Sequence, residues 1–104
     1  MSIPERDWKI FRKFQDELIS KACESVFVKV DKLSAARSND EHQAYLRLYD
    51  LIQVENKLIA EMFDNPTRNN VFFKIIALKR SGIISDEQFK QFSEETQKSV
   101  TELL

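Results

Sequence analysis

One glycine, two prolines, one cysteine and one histidine are all that 104 residues contain of those four types. A single glycine cannot build a glycine-rich loop, so phosphate-loop and dinucleotide fingerprints are excluded. Lone Cys23 makes no disulfide within the chain and no two-cysteine metal or redox motif, which suits a reducing compartment. Long apolar runs are missing too: Val71 to Leu78 is interrupted by Lys74 and is far short of the ~20 residues a membrane span needs. The opening MSIPERDWKIFRKF is charged and lacks the apolar core of a secretory signal. The expectation is a soluble, cytoplasmic protein with no membrane contact. A formal net charge of -1 gives the surface as a whole no attraction for nucleic acid or anionic lipid.

What remains is 42% hydrophobic and 32% charged, with eight phenylalanines to fill a core. This is the composition of one helical domain covering 1–104, a size that buries roughly two thirds of its unfolded surface. The scarce prolines and glycine mark helix boundaries: Pro4 and Pro66 open periodic segments, and Gly82 closes the second of these.

Ser2 and Glu5 have capping-box spacing, and a first helix is predicted over about 3–36. Trp8, Phe11, Phe14, Leu18, Ala22, Val26, Val30 and Leu33 follow at steps of three and four, while Ile19, Cys23 and Phe27 widen the same face. A face that broad packs against two neighbours. Lys9, Arg12 and Lys13 beside the first aromatics could describe a membrane-surface helix, but Asp7, Asp16 and Glu17 dilute that charge and core packing explains the pattern.

Ser38 and Glu41 repeat the box ahead of a second helix over about 39–63, with Tyr45, Leu48, Leu51, Ile52, Leu58, Ile59 and Met62 on one side. Asn65 as N-cap and Pro66 at the first turn start a third helix over about 66–81. Gly82 suits the left-handed residue that ends it, and Ile83 packs back on Leu78. Ser85 with Gln88, and Ile84 facing Phe89, supply a capping box and a hydrophobic staple for a fourth helix over about 86–103. Its stripe of Phe89, Phe92, Thr96, Val100 and Leu103 has the width of a coiled-coil seam. The expected fold is all-α: an antiparallel four-helix bundle of one long and one short hairpin. GIISDEQF resembles the helical hairpin of short C-terminal oligomerisation domains, a likeness that capping physics produces without kinship.

Chemistry is sparse. His42 has no Glu at the i−3 position that a bundle metal site would use, and Cys23 and His42 lie ~16 Å apart along the predicted hairpin. No cofactor, metal or catalytic set is expected. The third helix carries Arg68, Lys74, Lys79 and Arg80 without an acid, an alternative surface for nucleic acid. Against it, Asp86, Glu87, Glu94 and Glu95 of the next helix would face phosphate.

Two polar residues interrupt apolar stripes: Gln15 and Glu55. Counting from the turns places Lys79 within reach of Glu55, and a buried carboxylate needs such a partner. The first helix, about 50 Å long, outruns a compact domain ~35 Å across. These features point to a non-enzymatic protein acting through protein contacts, with homodimerisation first. Its expected interface comprises Gln15, Glu55, Phe89, Phe92, Val100 and Leu103. The remaining alternative is an enzyme with Glu55 in a pocket.

Overall fold

Proline lacks the N–H that a first turn leaves unused, and Pro4 starts the chain's longest helix for that reason. In the computed structural model, which describes residues 2–104, the carbonyl of Pro4 accepts from the amides of Asp7 and Trp8 at 2.9 and 3.1 Å. Helix α1 runs over Glu5–Ala35, α2 over Glu41–Phe63, α3 over Val71–Arg80, α4 over Asp86–Phe89 and α5 over Glu94–Glu102. The described residues are all-helical with no strand.

Neither expected capping box in the long hairpin forms. Glu5 does not turn back on its own helix; its carboxylate takes two bonds from Arg68, at 2.7 and 3.0 Å, and charge-assisted bidentate pairing outcompetes a backbone amide. The second helix begins at Glu41 rather than 39, because Asn39 adopts a left-handed φ of 62° and Asp40 spends its carboxylate on Arg47. At the turn of the short hairpin the physics is local, and the expected glycine ending and capping box form. Gly82 sits at φ 73°, its amide donates to Lys79 O and that of Ile83 to Leu78 O, the paired bonds of a Schellman helix ending. Ser85 and Gln88 cap α4 reciprocally.

Two boundaries differ. The third helix starts at Val71, not 66: Asn65 is left-handed at φ 46°, and Thr67 and Asn70 exchange side-chain-to-backbone bonds of 2.8 and 3.1 Å in a turn of their own. The expected fourth helix breaks into α4 and α5. Ser93 caps α5 by accepting from the amide of Thr96, and Gln97 takes the carbonyls of Lys90 and Phe92 that a continuous helix would have bonded internally.

The consequence is an elongated molecule of 53 × 24 × 24 Å. α1 packs on α2, α2 on α3, and α3 on α5. One buried cluster joins Trp8, Phe11, Phe14 and Leu18 of α1 to Phe72, Ile75 and Leu78 of α3 and to Phe89, Phe92 and Val100 beyond it. This is the base. The cluster's last member on α1 is Ala22, after which α1 continues for 13 residues to Ala35 with α2 antiparallel beside it. That two-helix extension is the arm.

Candidate interaction surface

At the base the sequence-derived candidates turn inward. Phe89, Phe92 and Val100 are buried in the chain's own core, so the seam expected on the fourth helix is closed by α1 and α3; Leu103 stays exposed. The break at Ser93 makes this possible, since it lets Phe92 and Val100 reach the same cluster from two short helices. Gln15 is half-buried on α1, roughly 20 Å at helical rise from the level of Glu55, so the two form no joint anchor.

Glu55 pairs with Lys29 of α1, not with Lys79. Its carboxylate is largely covered while the lysine stem lies along the hairpin's edge, so the ion pair links the two helices of the arm. Lys79 instead bonds Asp86 at 2.7 Å and lies over the Phe89 ring at 4.7 Å. That bond, with the Coulomb attraction of the same lysine, holds Asp86 below the usual carboxylate range.

The remaining cations of the proposed nucleic-acid face are also engaged. Arg68 clamps Glu5 and lies 5.2 Å from the Trp8 ring, raising its own pKa and lowering that of Glu5, chiefly through their hydrogen bonds. Lys74 is buried and donates to the Glu61 carbonyl near the end of α2, a favourable place for positive charge; burial pushes its pKa down. Arg80 donates to Leu103 O at 2.6 Å. A cavity of about 570 Å³ opens between α2 and α3 beside Lys74, floored by Met62 and Ile76 and rimmed by Leu58 and Phe73.

The buried polar centre escaped sequence reasoning. Asp7 is 0% exposed, and its carboxylate accepts from the amide of Ser93 at 2.8 Å, the Ser93 hydroxyl at 2.7 Å and the Thr96 hydroxyl at 2.5 Å. It thereby fixes the start of α5 to the first turn of α1. The only signal available was local: Ser93, Glu94, Glu95 and Thr96 read as a helix start, acids in the first turn included.

Along the arm the opposite holds. Phe27, Tyr45, Tyr49 and Ile52 are exposed, and Cys23, Val26, Val30, Leu33, Leu48 and Ile59 are half-covered. Two shallow hollows of about 160 and 250 Å³ run beside them; the first is lined by Cys23, Phe27 and Ile52, the second by Val30, Tyr45 and Leu48. His42 is exposed near the arm's tip. Among the described residues no three His, Cys, Asp or Glu side chains gather as a metal site, and no helix is long and apolar enough to cross a membrane. Comparison with protein-family models, characterised proteins and solved structures finds no match for this chain.

Proposed function

We propose that this is a non-enzymatic protein that works through protein–protein contacts, with the arm as its contact surface. The base, where α1, α2, α3 and α5 meet as an antiparallel four-helix body, is the scaffold that holds the arm out. A reducing, cytoplasmic setting suits the unpaired Cys23 on that surface.

The carrying observation is the continuous exposure of Phe27, Tyr45, Tyr49 and Ile52 on one side of a two-helix extension. Isolated exposed apolar residues are ordinary, but aromatics aligned along one face of a projecting hairpin form the kind of patch that marks an interaction site. Aromatic side chains also suit this role energetically, since they bring large apolar area at low entropic cost. The basic face of the third-helix region offers less: Arg68, Lys74, Lys79 and Arg80 are engaged within the chain, and the buried carboxylate of Asp7 is satisfied by three donors.

A photoreactive phenylalanine analogue placed at 27, 45 or 49 tests this in living cells, with position 87, exposed on α4, as control. Adducts are expected from the arm and not from 87. Failure of all three arm positions to give any adduct would sink the reading.

A further inference from the structure

Each helix of the arm carries two apolar seams, and α1 and α2 use only one of them on each other. The inner seam runs through Ala22, Val26 and Leu33 on α1 and through Ala44, Leu48 and Leu51 on α2 at helical spacing, with Leu33, Ala44 and Leu48 lining one hollow near the tip. The outer one holds Cys23, Phe27, Val30 and Ser34 on α1, at steps of four, three and four, and Tyr45, Tyr49, Ile52 and Asn56 repeat those steps on α2. Such steps are the heptad spacing of a packed helix interface, and two seams per helix is the pattern of a helix with two neighbours, as in a four-helix bundle. The arm supplies two helices. We infer that a second copy of this chain supplies the other two, by laying its own outer seam against this one in a two-fold dimer.

Three features favour a second copy over another occupant. First, the seam is neutral: the charged residues lining its hollows are Glu55, balanced by Lys29, and Arg37 and Glu41, one of each sign, at the tip. A face without net charge selects neither a basic nor an acidic partner and meets its own copy without repulsion. Second, protruding rings alternate with hollows along the face, so it carries both knobs and holes, as a self-complementary contact requires. Third, the area suffices. Phe27, Tyr45 and Tyr49 are 61, 64 and 56% exposed, or about 360 Å² together at the ~200 Å² typical of an aromatic side chain. With Ile52 and the half-covered floor, a copy offers on the order of 600 Å² and a pair on the order of 1,200 Å², the lower bound for a stable interface.

The inference rests on the arm being a contact surface, and light scattering after size exclusion separates the two claims. The chain of 12.3 kDa is expected to run at twice that mass within about 1 to 200 µM, unchanged between about 0.1 and 1 M salt. Phe27→Glu and Ile52→Asp are expected to give helical monomers, whereas Val28→Glu, on the outward side of α1, leaves the dimer intact. A monomer at every concentration, a dimer that salt dissociates, or one that survives both seam variants would overturn the proposal. Should the chain be monomeric while positions 27 and 49 still form adducts with other proteins, the second copy is refuted and the contact surface stands.

Discussion

Replacing Asp7 with alanine should loosen the base more than any other single polar change. The carboxylate is fully buried and takes three bonds from two residues, one of them the N-cap of α5. Hydrogen bonds to a charged group contribute ~1.5 to 3 kcal/mol each, but here they are not additive, because the Ser93 and Thr96 hydroxyls bond one another at 3.2 Å and can regroup. The amide of Ser93 cannot regroup so easily. Leaving that buried amide unpaired costs ~1 to 3 kcal/mol, and with the weakened hydroxyl bonds the expected loss for Asp7→Ala is ~3 to 4 kcal/mol. Against a total of ~5 to 15 kcal/mol for a domain, that is a large share.

Urea denaturation followed by circular dichroism measures it, and at ~4 to 8 °C per kcal/mol the melting temperature should fall by at least 12 °C. Thr96→Val removes a single donor and should cost about 1 kcal/mol. The double variant should show a coupling of ~1 to 2 kcal/mol, since the two residues share one bond. Asp16→Ala, on the exposed side of the same helix, should stay within ~0.5 kcal/mol of the parent. A loss below ~1 kcal/mol for Asp7→Ala, or additivity with Thr96→Val, would refute the claim that this carboxylate joins α5 to α1.

Gly82→Ala should cost ~1 kcal/mol through strain alone, since φ is 73° and no atom lies within 4 Å of the added methyl; a neutral result in chemical denaturation would contradict the left-handed ending of α3. Glu55→Gln removes the ion pair with half-exposed Lys29 but keeps its shape, so the expected loss is no more than ~1 kcal/mol, read from the urea midpoint. Stability should also fall in acid. Glu5 and Asp86 have folded pKa values below their ordinary 4.5 and 3.8, so their contribution is complete above about pH 5 and is lost as pH falls through the lowered values. The double variant Glu5→Gln/Asp86→Asn should flatten the urea midpoint between pH 5 and 3, and an unchanged slope would count against both pairs.

The turn of the short hairpin was legible because its signals lie within a few residues of one another. Gly82, Ser85 and Gln88 act on neighbouring backbone, and nothing distant competes. The long-range polar contacts were not legible. Asp7 meets Ser93 and Thr96 across 86 and 89 positions, and the heptad-like steps from Phe89 to Leu103 read as one helix because periodicity is blind to a cap that two distant oxygens reward. Glu55 stood out as a carboxylate in an apolar stripe, yet its partner lay on α1, where Lys29 reads as an ordinary surface lysine. Glu5 shows the same competition in reverse, a residue with capping spacing that a distant arginine takes away.

The short elements also explain why the arm stays open. α3 has 10 residues and α5 has 9, each about 15 Å long, whereas the 31 residues of α1 extend about 46 Å. Laid against α1, they cover its first half and no more. Were folding the only demand on the outer half, α1 past Ala22 and the facing length of α2 would need one apolar seam each, with charge on every other side. They carry a second seam instead, with two tyrosines, an isoleucine and a phenylalanine facing water. Exposed side chains of that kind add nothing to the chain's own core and raise its tendency to associate. The proposed association would account for this excess, and the matching steps on both helices suit a helical partner better than a flat surface or a small ligand.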